Sequence, residues 1–187
     1  MFRIQPTKRI RLFWSAVAFA GLAGAHAMPG TTYATSSAGM KSIEQLTERA
    51  DLVVRGNVRS IQSFSDNSRI FTDIDLNLLE TLKGSTGDTP TVLRLYGGVF
   101  GGQRTVVMGA PCFSTGEDVV LFLMNRGEGK FDVVNLAEGK FEVVQRADGT
   151  LGVKRDLSDI AYVGAAAPPA IPETFEALKS AVIAASR

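Results

Sequence analysis

Histidine and tryptophan are missing from the sequence after residue 27, since the single histidine is His26 and the single tryptophan is Trp14. Both lie in a segment typical of a secretory signal, in which four basic residues precede an apolar run that ends at Ala25. Ala25-His26-Ala27 has the small-x-small form that signal peptidase accepts, so we expect residues 1–27 to be a cleaved signal peptide. The exported protein then lacks the commonest general base and metal ligand and the ring that best stacks on sugars.

The apolar run of the signal, about 14 residues, is shorter than the roughly 20 that span a bilayer as a helix. We therefore expect a periplasmic or extracellular protein with no membrane span after cleavage. Cleavage removes four of the 20 basic residues and none of the 19 acidic ones, which leaves a net charge of −3. Nucleic acid is not an expected partner, because binding a phosphate backbone needs clustered cations.

Cysteine is nearly absent as well: Cys112 is the only one, so no disulfide forms within the chain. Its neighbours Pro111 and Phe113 are apolar and no cation adjoins it, which predicts a buried, unreactive thiol. Pairing of Cys112 between chains stays open as the alternative. A metal site built from Cys and His is excluded by the count, and no metal or cofactor is predicted.

Residues 28–41 are rich in Gly, Ser, Thr and Ala without apolar periodicity, which predicts a flexible lead. The folded domain is predicted to span residues 42–163, followed by an Ala/Pro linker and a C-terminal helix in 164–187. Ser42 and Gln45 have the spacing of a capping box and predict a short helix to about Ala50. Pro172 is the predicted first residue of the C-terminal helix.

A change to period-two alternation after the first helix predicts a long β-hairpin with its turn near Asp66. That turn would place Arg59 opposite Asp73 and Asn57 opposite Asp75, so that polar side chains share one face. Further strands are predicted at 92–96, 119–124, 131–136, 141–145 and 151–154. The run at 119–124 is continuously apolar, as in a strand buried on both faces.

The spacing of Asp73, Asp75 and Asn77 matches the first half of a calcium loop. The residues between them are apolar, and the glycine that such a loop needs for its bend does not follow. These positions are therefore interpreted as a solvated strand face. Weak calcium binding near Asp66, Asp73 and Asp75 stays open.

The segment 97–104 contains four glycines around Val99 and Phe100. Its spacing fits neither a dinucleotide fingerprint nor a Walker loop. One interpretation is a structural connection, with residues 106–108 returning to the sheet. The other is a binding loop in which Val99, Phe100 and Arg104 contact a partner protein.

Many short strands, one of them buried, predict a mainly β protein: a small OB-like closed or nearly closed barrel of about seven strands with a helix at each end. The sequences ADLVVRGNV (50–58), LETLKG (79–84) and GEDVVLFL (116–123) resemble the netrin-module and metalloproteinase-inhibitor group of OB-fold domains and exported bacterial proteins with the same order of segments. The resemblance covers residues 43–145.

The resemblance implies the fold. In the inhibitors of the group, a disulfide-bonded cysteine at the mature N-terminus binds the zinc of the protease through its amine and its carbonyl. This chain has no cysteine at the predicted mature start, so that mechanism cannot be carried over.

No Ser-x-x-Lys motif follows the signal, and acyl transfer without histidine would need such a pair. We therefore predict a non-catalytic exported module that binds another protein, with a secreted protease as the candidate that it binds or inhibits. The first alternative is an envelope protein that self-assembles through Cys112 or an exposed strand edge. The second is a carboxylate-based hydrolase that uses Asp73 or Asp75.

Overall fold

The computed structural model describes residues 35–37, 39–86, 91–162 and 167–187. The predicted signal peptide lies outside these residues, as do the first part of the predicted lead and part of the linker. Within the described ranges, no helix is both long enough and apolar enough to cross a membrane.

The chain folds mainly into β-strands. The helices are α1 (Ile43–Arg49) and α2 (Phe175–Ala185), with a short 3-10 helix at Leu136–Gly139. The strands are β1 (Thr35–Ser37), β2 (Leu52–Asp66), β3 (Arg69–Lys83), β4 (Val92–Tyr96), β5 (Gly98–Phe100), β6 (Gln103–Thr105), β7 (Asp118–Asn125), β8 (Lys130–Val133), β9 (Lys140–Gln145), β10 (Leu151–Lys154) and β11 (Ile160–Tyr162).

The main sheet has seven strands in the order β10-β9-β7-β2-β3-β4-β8. A further pairing of β7 with β8 closes β7, β2, β3, β4 and β8 into a ring of five strands. Neighbours in this sheet are antiparallel except β4 and β8, which run parallel. The mainly β class expected from the sequence is thus observed, with a seven-stranded sheet of which five strands form the ring.

Two apolar clusters hold the ring together. One draws on all five ring strands and fills the ring, with Leu121, Leu93 and Phe131 among its buried members. The other lies on the outer side of β2 and β7, where Phe122 and Phe141 pack against both helices. Strand β7 contributes side chains to both clusters because successive side chains point to opposite faces. Of the predicted buried run 119–124, residues 119–123 are fully buried and Met124 is half-buried.

The capping box predicted for α1 is confirmed. The backbone N–H of Gln45 donates to Oγ of Ser42 (3.3 Å), and the backbone N–H of Ser42 donates to Oε1 of Gln45 (3.1 Å). The start predicted for the C-terminal helix is wrong by three residues: Thr174 is the N-cap of α2, and its Oγ1 accepts from Ala177 N–H. The apolar side of α2, formed by Phe175, Leu178 and Val182, is buried as predicted.

The predicted register of the β2–β3 hairpin is wrong. Asn67 and Ser68 form a two-residue turn with φ of 46° and 63°, which matches a type I′ turn and sets Asp66 opposite Arg69. A bulge follows at Arg59, because Val58 pairs with Leu76 and Ser60 with Asp75. Asp73 consequently lies opposite Gln62 rather than Arg59, and Asp75 lies opposite Ser60 rather than Asn57.

Part of the segment predicted as a flexible lead is assigned to a strand. Strand β1 pairs in parallel with β11, from Thr35 opposite Ile160 to Ser37 opposite Tyr162. The backbone N–H of Lys41 donates to Oε2 of Glu138 (2.6 Å), whose side chain is buried. The predicted strand at 131–136 is also shorter than expected, since β8 ends at Val133 and the 3-10 helix begins at Leu136.

Candidate functional site

The glycine-rich segment forms a β-hairpin of its own, made of β5 and β6. Gly101 and Gly102 make its turn with φ of 56° and 76°, and a Cβ at either position would meet no atom of the described residues within 4 Å. Val99 lies directly opposite Arg104, and Phe100 lies opposite Gln103 next to the turn. The tip of this hairpin therefore extends into open space with a large apolar side chain beside it.

The base of the hairpin is fixed on the face of β2 and β3. The N–H of Gly97 donates to the carbonyl of Ile70 (2.8 Å), and the hydroxyl of Thr72 donates to the carbonyl of Gly97 (2.7 Å). Gly98 has a φ of 134°, and a Cβ there would collide with the hydroxyls of both Thr72 and Ser63. Glycine is required at Gly98 because the backbone approaches these two strands so closely.

Exposed apolar side chains gather around this hairpin. The exposed fractions are 62% for Val99, 47% for Phe100, 60% for Val106, 50% for Tyr96 and 38% for Ile61. All of these except Phe100 line a cleft of about 300 Å³ between the hairpin, the ring strands and the segment 104–113. Such a concentration of apolar surface at one place is typical of a site that binds another molecule.

The structure brings Val99 and Arg104 together and separates Phe100 from them. Val99 and Arg104 both line the cleft, whereas Phe100, the next residue along the strand, projects from the opposite face. Arg104 is exposed and forms no ion pair with any residue that the structure describes. The three predicted contact residues thus present two apolar surfaces and one unpaired cation.

Ile61, Tyr96 and Val106 were not predicted as site residues, although they surround the cleft. The Gly101-Gly102 dipeptide is the sequence signal that could have placed a tight hairpin here, because type I′ turns favour two glycines. The expected return of residues 106–108 to the sheet is wrong, since that segment is not a strand. Val106 is left exposed for that reason.

The predicted burial of Cys112 is also wrong, because its side chain is exposed and borders the same cleft. The preceding residue, Pro111, is the buried one. The segment around Cys112 is irregular, so apolar neighbours in sequence do not enclose the thiol.

Two of the three acidic residues considered for calcium, Asp73 and Asp75, are held by arginines. Arg94 donates to both oxygens of Asp73 (2.7 and 2.6 Å), and Nε of Arg59 donates to Asp75 (2.8 Å). Hydrogen bonding to Asp73 raises the pKa of Arg94 above its ordinary value despite partial burial. In the described part of the chain, no group of three or more His, Cys, Asp or Glu side chains is arranged to hold a metal ion.

Comparison of the chain with protein-family models and with curated proteins finds no match in either.

Proposed function

We propose that this protein is an exported, non-catalytic module that binds another exported protein through the β5–β6 hairpin. The observation that carries the proposal is the set of five exposed apolar side chains around the hairpin and its cleft. A secreted protease is the candidate partner, which the module binds or inhibits. The β5–β6 hairpin would insert into an apolar recess on the surface of the partner.

The chemistry of the tip defines what such a partner offers. Phe100 supplies a large apolar surface, and aromatic anchors of this kind contribute much of the energy of many interfaces. Arg104 lies across from Val99 and has no ion-pair partner among the described residues, so a carboxylate on the partner would complement it. The two-residue turn keeps the loop short, which reduces the entropy lost on binding.

We further infer that the ring of five strands is an OB-like barrel related to the netrin and metalloproteinase-inhibitor group. Closure of the ring by the pairing of β7 with β8 supports this inference, as does the five-stranded make-up of the ring.

The test is capture of partners from the exported fraction of the source cells by the immobilised protein. The variant V99S/F100S removes the apolar tip, and L79S/I183S is the matched control because both of its positions are exposed, apolar and outside the cleft. We expect a partner that L79S/I183S retains and V99S/F100S loses, followed by direct binding and protease assays with that partner purified. Equal capture by both variants, or no capture by folded protein, would contradict the proposal.

A second candidate function is self-assembly through Cys112, which the exposure of this thiol favours. Electrophoresis without reductant distinguishes the two, since assembly of this kind predicts a linked dimer that C112S abolishes.

A further inference from the structure

Among the described residues, one edge of the β2–β3 hairpin has no neighbouring strand over about half of its length. On its outer side β2 pairs with β7 as far as Asn57, and Val58 still bonds to Glu117 and Gly116 (2.9 and 2.8 Å). From residue 59 to residue 66, no strand of the described part of the chain lies on that side. This stretch is called the β2 edge below.

The hairpin turn fixes which backbone groups of the β2 edge point outward. In a two-residue turn the backbone N–H and C=O groups of the flanking residues, Asp66 and Arg69, point toward each other. Along each strand from that pair, the backbone groups of successive residues then point alternately away from and toward the other strand. The carbonyl of Ile70 agrees with this alternation, because it points away from β2 to accept from Gly97. The N–H and C=O groups of residues 61, 63 and 65 therefore point away from β3.

The β2 edge carries few of the features that keep sheet edges from pairing. Neither proline nor lysine occurs between residues 59 and 66, and the bulge at Arg59 lies at the beginning of the stretch. Three of the eight side chains are small serines. An unprotected row of backbone donors and acceptors is a template for an added strand.

We propose that the β2 edge pairs with the same edge of a second copy, antiparallel, about a twofold axis at Ser63. Two residues that lie opposite each other across this antiparallel pair exchange hydrogen bonds only if the backbone groups of both point away from their own β3 strand. Centring the pair on Ser63 sets Ile61 opposite the partner's Ser65, and Ser65 opposite the partner's Ile61. In this register residues 61, 63 and 65 of each copy all pair with outward-pointing residues of the other copy. Moving the axis by one residue in either direction leaves at least one of these three residues without a partner.

Charge complementarity supports the second copy as the occupant. In this register Ser60 lies opposite the partner's Asp66, which brings Arg59 beside that carboxylate. Arg59 already pairs with Asp75, but its side chain is 70% exposed and lies where a second carboxylate can approach it, and Asp66 forms no ion pair with any described residue. The twofold axis creates this arrangement twice, so each end of the paired edges joins opposite charges.

The first test compares S65P with S65A, each combined with C112S so that disulfide pairing plays no part. The Ser65 N–H points outward, so proline there removes a donor from the edge without removing a β2–β3 hydrogen bond. We expect the full processed chain with C112S or C112S/S65A to dimerise with concentration in analytical ultracentrifugation. S65P should weaken that dimer at least about tenfold, the equivalent of 1.4 kcal/mol.

The second test fixes the register by disulfide formation. Residues paired on the axis have Cα atoms about 5.5 Å apart, within the range for a disulfide, whereas two Ser65 residues would lie too far apart. We expect S63C/C112S to form a linked dimer under mild oxidation and S65C/C112S to remain unlinked.

Three results would overturn the proposal. The first is a monomer at every concentration up to about 1 mM, since a dimer with a dissociation constant of about 1 mM has a binding free energy of only about 4 kcal/mol. The others are equal dimerisation of S65P and S65A, and equal linking of S63C and S65C. Should S65P fail to fold, the disulfide pair alone decides. Loss of partner capture by V99S/F100S is a separate readout, so the two proposals fail independently.

Discussion

The two halves of the β2–β3 hairpin belong to the same pair of strands but have different surroundings. The root half, residues 52–58 with 76–83, contributes to both apolar clusters, shares one of them with α1 and α2, and pairs with β7 along β2. The distal half, residues 59–66 with 69–75, is mostly exposed or half-buried and has a neighbouring strand on the β4 side alone among the described residues. The boundary is the bulge at Arg59.

Both halves carry the same ionic arrangement. Arg55 donates two hydrogen bonds to Asp118 and stacks on Phe175 (4.6 Å), and Arg94 donates two to Asp73 and stacks on Phe64 (4.7 Å). The Arg55 side chain is 17% exposed, compared with 28% for Arg94. Since the polar contacts match, the halves differ in burial: the helices cover the root half and leave much of the distal half exposed.

The largest expected effect compares Phe122, which lies on β7 opposite Val53 of the root half, with Phe64 of the distal half. Phe122→Ala removes a fully buried ring that packs on Phe141 (centroids 5.7 Å apart), and we expect a loss of about 3–5 kcal/mol in the free energy of unfolding. Phe64→Ala, in the half-buried distal half, should cost only about 1 kcal/mol. Urea denaturation measures both. Equal losses would contradict the division into two halves.

The next effect concerns the docking of the β5–β6 hairpin on the distal half. Gly98→Ala introduces a Cβ that collides with Ser63 and Thr72 in addition to the strain of a positive φ, and we expect a loss of about 2–3 kcal/mol. Gly149→Ala is the control, because its φ of 82° is also positive but the space around it is open. Thermal unfolding should show the larger decrease for Gly98→Ala, and a larger decrease for Gly149→Ala would be inconsistent with the docking.

A smaller effect is expected from the two ion pairs. Double-mutant cycles on Arg55 with Asp118 and on Arg94 with Asp73, each residue changed to alanine, measure the coupling of each pair. We expect about 1–1.5 kcal/mol for the first and about 0.5–1 kcal/mol for the second, because water screens the more exposed pair better. A stronger coupling in the distal pair would reverse the comparison.

The smallest effect concerns Tyr162, which lies on β11, outside both halves of the β2–β3 hairpin. A change at Tyr162 therefore shows an effect that involves neither half. Burial, with the nearby charge of Glu138, raises the pKa of Tyr162. The folded protein therefore retains the phenol proton where the unfolded chain loses it, so stability falls as pH rises from about 10 through the raised folded pKa. Tyr162→Phe should remove this part of the pH dependence. Identical alkaline curves for both proteins would show that the phenol does not contribute.

The sequence predicted the parts of the fold that depend on local signals. The capping box of Ser42 and Gln45, the buried run at 119–123 and the apolar side of α2 are all set by periodicity and neighbouring residues. The register of β2 and β3 was not predictable in this way, because it depends on the positive φ of Asn67 and Ser68 and on a bulge at Arg59. The observed register differs from the predicted one by two residues at Asn57 and by three at Asp73, and such a shift changes every opposed pair.

The candidate site was predicted only in part for the same reason. Val99, Phe100 and Arg104 stand out because glycines surround them along the chain. Ile61, Tyr96 and Val106 join them only through the docking of the hairpin on β2 and β3, which has no local signature. The exposure of Cys112 likewise follows from the irregular path of its segment rather than from its apolar neighbours.

Amide hydrogen exchange along β2, measured by NMR on a dilute sample, tests the contrast between the two halves most directly. We expect protection at residues 52–58, and beyond Arg59 an alternation in which 60, 62 and 64 are protected and 61, 63 and 65 exchange rapidly. Uniform protection through residue 65 in dilute solution would mean that the chain itself covers the β2 edge. That result would contradict the division of the hairpin into a buried root and an open distal half.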